Sequence, residues 1–140
     1  MSPELESKII TTYPKMFPQN GSSKSPINMF GIETGDGWYT LIDTLCGDIQ
    51  GQIDNSQDSD SPIPQVVLLQ IKEKFGTLRF YYSGGNDLIR GMSWFAESMS
   101  AHICEICAKP GVLRGGGWVL TACDEHSQGR LPLSEIKNPD

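Results

Sequence analysis

With 140 residues and a mass of 15.4 kDa, the chain has room for one hydrophobic core, since a domain near this size buries about 68–70% of the surface its unfolded chain exposes. Hydrophobic residues at 38% and charged residues at 20%, with three Trp, five Phe and four Tyr, exclude wholesale disorder. Eleven Lys and Arg against 17 Asp and Glu give a formal charge of −6, which argues against a protein that coats nucleic acid nonspecifically by neutralising phosphates.

The longest apolar run, Val66-Val67-Leu68-Leu69, falls far short of the ~18 residues a membrane helix needs. The opening Met-Ser-Pro-Glu-Leu-Glu has neither the basic start nor the apolar stretch of an export signal. The expectation is a cytoplasmic protein without a membrane partner.

In chain order, Leu5, Ile9, Ile10 and Tyr13 recur at helical spacing, which predicts a short helix over residues 4–13 that Pro14 stops. The polar run from Gln19 to Pro26 reads as a mobile loop, as does the segment from Asp54 to Pro64. Trp38, Leu41, Ile42, Leu45, Ile49 and Ile53 share one face of a second helix, with Asp36 near its start as a capping carboxylate. Gly47 and Gly51 on that helix lower its propensity and predict a close neighbour. Val66 to Ile71 and Leu78 to Tyr82 are β-formers around a break at Lys74-Phe75-Gly76, which predicts a hairpin. After Gly84-Gly85-Asn86-Asp87, the positions Ile89, Met92, Phe95, Ala96, Met99 and Ile103 mark a third helix, capped by Asp87. The tail after Arg130 is expected to drape over the surface.

The charge pattern divides the chain. From Ser25 to Ile71 there is no Lys or Arg, and seven acidic residues lie in that stretch. Such runs are usually solvated loops and faces. Lys72, Lys74, Arg79 and Arg90 then outnumber the acids up to residue 90, so an anion-binding surface is expected on the hairpin.

The last third carries Cys104-Glu-Ile-Cys107, then fifteen residues, then Cys123-Asp-Glu-His126. Two closely spaced ligand pairs of this kind can close a tetrahedron of three thiolates and an imidazole, a set that suits Zn2+. A disulfide is the competing arrangement, and it leaves Cys46 and one further thiol without a role. Four protein ligands close the shell, so the expected zinc is structural. Cys46 is assigned to the core, and His102 to a helix end rather than the metal.

The expected fold is α+β, a single small domain. A β-hairpin or small antiparallel sheet packs with two main helices, and a C-terminal zinc-knuckle or ribbon-like lobe follows. Residues 1–27 are an N-terminal helix and flexible loop, 28–103 the α+β core, 104–130 the zinc-bound lobe and 131–140 the tail.

Phe30-Gly-Ile-Glu-Thr-Gly-Asp-Gly-Trp38, Lys72-Glu-Lys-Phe-Gly-Thr-Leu-Arg-Phe-Tyr-Tyr82, and the Cys104–His126 module with Pro110-Gly-Val-Leu-Arg114 and Gly117-Trp118 together resemble a family of small uncharacterised proteins of phages, prophages and their bacterial hosts. The resemblance covers about residues 28–127. It implies a phage-associated accessory protein in the bacterial cytoplasm, of a kind that often blocks or sequesters parts of host defence. Ala108 departs from the pattern, which more often shows Gly there.

The expected function is therefore non-catalytic: binding and inhibiting a host defence protein, or sequestering a small anionic, nucleotide-like ligand. Lys72, Lys74, Arg79 and Arg114 supply cations for it, and Tyr81, Tyr82, Trp38 and Trp118 flat rings. Against this, aromatic residues on hairpins are more often core or cross-strand partners. A nucleic-acid-binding zinc protein and an acidic mimic of nucleic acid are the alternatives. A metal-dependent nuclease is less favoured, because the chain lacks the His-x-Glu with Pro-Cys-x-x-Cys, phosphate-loop and His-Glu-x-x-His motifs.

Overall fold

The computed structural model describes residues 1–17 and 25–136. Ser2 opens helix α1 (Pro3–Thr12) by accepting the Leu5 N–H on its hydroxyl, and Pro3 takes a first-turn position where a missing N–H costs nothing. The helix ends before Pro14, as its sequence predicts. Most of the predicted loop after it lies outside the described residues, but Pro26 already begins a second short helix, α2 (Pro26–Phe30).

The N-terminal segment is not peripheral to a core starting at residue 28. Ile9, Met16 and Phe17 are buried in the main core, the Leu68 N–H donates to the Met16 carbonyl at 2.7 Å, and the Glu6 carboxylate accepts the Ile32 N–H at 2.9 Å. The apolar face of a ten-residue helix needs such cover, since a helix this short has little stability of its own.

Helix α3 (Tyr39–Asn55) follows a single 3-10 turn over Asp36–Trp38 and buries Ile42, Leu45, Cys46, Ile49 and Ile53. Asp36 does not cap it. Its carboxylate accepts the Ser2 N–H at 2.6 Å, and the start of α3 has no side-chain cap. Gly47 does face a close neighbour, because a Cβ there would lie 3.0 Å from the Tyr13 hydroxyl, whereas a Cβ on Gly51 would meet nothing within 4 Å. Cys46 is fully buried in the core, and burial pushes its thiol well above the ordinary range.

The Tyr13 hydroxyl lies 3.0 Å from both the carbonyl and a carboxylate oxygen of Asp43. Burial first, and this carboxylate second, push the phenol up from 10.0 to about 12. A raised folded-state value stabilises the fold below the unfolded value, and that contribution is lost as pH rises through the folded one. Tyr13→Phe is therefore expected to lower the melting temperature at neutral pH and to remove a step of alkaline destabilisation between pH 10 and 12, read from melts across that window.

The sheet is built on the predicted hairpin. Strand β1 (Ile32–Glu33) runs parallel to β2 (Val67–Lys74), which pairs antiparallel with β3 (Thr77–Ser83). The two-residue turn places Phe75 at φ 53° and Gly76 at φ 79°, the conformation that suits the right-handed twist of a hairpin. Leu68, Ile71, Leu78 and Phe80 point into the core, while Lys72, Arg79 and Tyr81 lie on the outer face. The two-residue β1 carries no β-run in the sequence, and a parallel partner is set by tertiary placement alone.

Helix α4 (Asp87–Ser100) is capped by Asn86, whose side chain accepts the Ile89 N–H, and not by Asp87, which pairs with Arg90. Its buried face runs through Ile89, Ser93, Ala96 and Ser100, and Phe95, expected inside, is 68% exposed. The shift has a cause in the sheet. β3 is an edge strand, and its outward N–H groups at Leu78 and Phe80 donate to the Ser100 hydroxyl at 2.8 Å and the Glu97 carboxylate at 2.9 Å. These bonds turn the serine face inward and close an edge that would otherwise invite another strand. Ile103 lies beyond the helix, in an isolated bridge to Pro110.

A second, two-stranded sheet, β4 (Val112–Arg114) with β5 (Leu120–Ala122), completes a small α+β domain with a cysteine-rich C-terminal lobe. The described part of the tail is tied down: Pro132 bridges Arg114, and the Leu131 carbonyl accepts the Gly115 N–H at 3.1 Å. Among the described residues, no helix is long and apolar enough to cross a membrane.

Candidate metal centre

Cys104 and Cys107 sit on a tight turn after the Ile103–Pro110 bridge. The Lys109 carbonyl accepts the Cys104 N–H at 2.8 Å, and the Cys104 carbonyl accepts the Ala108 N–H at 3.0 Å. Cys123 follows β5, and the 3-10 turn Asp124–His126 folds the imidazole back toward it. All four cysteines are free thiols, which removes the disulfide alternative. The ligand atoms of Cys104, Cys107, Cys123 and His126 lie within 4.8 Å of one another, so the group could hold a metal ion.

The turn also prepares the sulfur. Burial alone would raise the Cys104 thiol, but N–H groups of Cys123, Cys107 and Ile106 directed at it outweigh that and hold it at about 6. At Cys107 a Lys109 N–H acts downward, yet desolvation and the neighbouring Cys104 and Cys123 sulfurs prevail and raise it. A cation at the centre would relieve that crowding.

Ala108 stands at φ 65°, the left-handed region where a Cβ is strained. An alanine here therefore has a physical cost, and it lies outside the Cys/His cluster. Ala108→Gly is expected to raise stability by about 0.5–1 kcal/mol, after allowing for the greater freedom of glycine in the unfolded chain. A thermal melt should show a rise of about 2–4 °C, and a fall would refute this account.

The lobe is bolted to the rest of the molecule through backbone contacts. The Glu105 carbonyl accepts the Gly37 N–H at 2.7 Å, its carboxylate accepts the Gly35 N–H at 2.9 Å, and the Ile103 carbonyl accepts the Trp38 indole N–H at 2.9 Å. Only glycine fits at 35 and 37: a Cβ would lie 2.3 Å from the Glu105 carbonyl oxygen and 2.1 Å from that of Cys104. Across the lobe, the Thr121 hydroxyl donates to the Gly76 carbonyl at 2.6 Å, joining it to the hairpin turn.

These contacts correct two expected ligand-binding residues. Trp38 is fully buried, with its indole N–H already used, so its ring is a core element and not a stacking platform. Arg114 is 5% exposed and donates to the Ala122 carbonyl at 3.0 Å, the Arg130 carbonyl at 3.1 Å and the Asp124 carboxylate at 2.5 Å. Its cation holds the lobe together.

The remaining predicted residues divide by place. Lys72 and Arg79 face each other on the outer sheet surface with Tyr81 beside them, and Lys74 lies 5.4 Å from the Phe75 ring centre. Tyr82 is half-buried, its ring 5.8 Å from that of Phe80. Trp118 is exposed on the β4–β5 turn with the Arg130 guanidinium 4.2 Å from its ring centre. Residues not anticipated are Glu105, Thr121 and Arg130, which fasten the lobe, and Trp94 on α4. The Gly35-Asp-Gly37 spacing was the available signal for the Glu105 contact.

Comparisons with protein-family models, with curated proteins and with solved structures find no match.

Proposed function

We propose that this chain is a non-catalytic binding protein, phage-encoded and directed against host defence, whose C-terminal cluster holds one structural Zn2+. Its recognition surface is the outer face of the β2–β3 hairpin. The closed ligand set carries the structural-zinc part of the reading. Around zinc bound by thiolates at about 2.3 Å and imidazole at about 2.0–2.1 Å, a tetrahedron has sulfur–sulfur edges of about 3.8 Å and sulfur–nitrogen edges of about 3.6 Å. The Cys107–Cys123 sulfurs are 3.7 Å apart, and His126 Nδ1 is 3.3 Å from the Cys123 sulfur and 3.7 Å from that of Cys104. Three thiolates and an imidazole suit zinc, and four protein ligands leave no position for a reactive water, so the ion serves folding.

The hairpin surface is supported by its charge. Lys72 and Arg79 stand side by side in a chain of net charge −6, and neither forms an ion pair among the described residues. The anti-defence role is supported by the ordered resemblance over residues 28–127, and such a role implies the bacterial cytoplasm, where reducing conditions keep thiolates available to metal.

The test is expression in a panel of bacterial hosts, each carrying one defence system, scored by plating of restricted phage. Plating is expected to rise in at least one host and to fall back with the Lys72→Ala, Arg79→Ala double variant. No rise with folded, metal-loaded protein would overturn the anti-defence reading. Elemental analysis of protein purified without chelator should give about one zinc per chain, and its absence would overturn the metal assignment.

A further inference from the structure

The seam where β3 meets α4 holds a pocket of about 280 Å3 lined by Thr77, Arg79, Trp94, Glu97, Ser98 and Ala101. Its size lies just under the roughly 300–1,000 Å3 of sites for drug-sized ligands, which suits one nucleobase-sized group and little more. Trp94 presents an indole that is 62% exposed, with the Arg90 guanidinium 5.7 Å from its ring centre. An exposed ring at the wall of a pocket is a surface on which a flat base stacks.

The electrostatics select an anion. Arg79 is directly opposite Lys72 across the two strands, a like-charge pair that is destabilising unless an anion screens it. One guanidinium nitrogen of Arg79 donates to the Thr77 hydroxyl at 2.5 Å and the Leu78 carbonyl at 3.0 Å, which orients the group and leaves its other N–H donors without a protein acceptor among the described residues. No carboxylate among the described residues forms an ion pair with it: Glu97 on the same pocket wall accepts the Phe80 N–H instead, Asp87 pairs with Arg90, and Glu33, next to Lys72 in register, makes no ion pair with that lysine. The larger hollow of about 510 Å3 beside Cys123 differs in this respect, since its cations Lys109 and Arg114 are already paired with Glu125 and Asp124.

We infer that the seam pocket is a mononucleotide site, with the base stacked on Trp94 and the phosphate received by Arg79 and Lys72. Glu97 keeps acceptor capacity toward an amino group of the base, because a carboxylate offers about four lone-pair positions and the Phe80 N–H takes one. The inference rests on the reading of the hairpin face as the ligand surface, and it narrows the anionic, nucleotide-like ligand expected there to a mononucleotide and adds the pocket and the stacking residue.

The experiment is a fluorescence titration with AMP in a Trp118→Phe background, where Trp94 is the one exposed indole among the described residues. AMP is expected to quench, ribose 5-phosphate and inorganic phosphate to bind at least roughly tenfold more weakly for want of a base to stack, and Arg79→Ala to weaken AMP by a similar factor. Trp94→Leu, read by calorimetry, should show the same loss with an unchanged circular dichroism spectrum and zinc content. No binding of AMP to folded protein, or binding that Trp94→Leu leaves intact, overturns the site. Tight binding of a ten-nucleotide single strand with none of AMP also overturns it, in favour of an extended nucleic-acid surface. If the pocket fails in any of these ways while the Lys72→Ala, Arg79→Ala variant still loses the rise in phage plating, the nucleotide assignment alone falls and the hairpin surface stands.

Discussion

On the proposed zinc assignment, Cys104→Ser is expected to cost the protein the ion and, with it, order well beyond the lobe. Structural zinc in small modules binds with apparent free energies of about 10–16 kcal/mol, and that binding energy is folding energy. A single domain has only about 5–15 kcal/mol of net stability, so loss of the ion removes an amount comparable with the whole. The route outward is explicit: the Glu105 and Ile103 carbonyls hold Gly37 and Trp38, and Thr121 holds the Gly76 turn. Hydrogen exchange should therefore show lost protection at residues 34–38 and 76 as well as 104–126, and a strong chelator should reproduce the pattern in the unmodified protein. Cys46→Ser should leave the zinc content unchanged, because Cys46 lies in the main core apart from the ligand group. Exchange confined to the lobe would refute the coupling, and zinc loss in Cys46→Ser would refute the ligand assignment.

Arg114→Ala should unfold the lobe's second half rather than weaken ligand binding. The side chain bonds two carbonyls and a carboxylate from a buried position, and removing it takes a charge-assisted hydrogen bond from the Ala122 and Arg130 carbonyls. A hydrogen bond made by a charged group contributes about 1.5–3 kcal/mol, less where it is part-exposed as at Arg130, so a loss of roughly 2–4 kcal/mol is expected, seen as a lowered melting temperature. Asp124 is fully exposed and adds little once unpaired. Arg114→Lys should not rescue, because a single ammonium cannot span three acceptors held in different directions. An unchanged melting temperature with lowered affinity for an anion would reverse this assignment.

The sequence by itself determined the elements whose signals are local. The hairpin around Lys74-Phe75-Gly76, the apolar face of α3, the helix that Pro14 ends and the grouping of Cys104, Cys107, Cys123 and His126 into a cluster that could hold a metal all rest on periodicity, turn chemistry or spacing along the chain. What only the tertiary structure decided depends on partners far apart in the chain. The parallel strand β1 is two residues long and exists because β2 lies beside it. Helix α4 turned Glu97 and Ser100 toward β3, with Phe95 left outside, because the edge of β3 needed acceptors that apolar side chains cannot offer. Arg114 and Trp38 were drawn inside for the same reason: a guanidinium satisfies several buried carbonyls at once, and an indole can be buried once its N–H finds the Ile103 carbonyl. Composition marks such residues as potential ligand contacts, and only the placement of their hydrogen-bond partners shows that they are already spent on the fold.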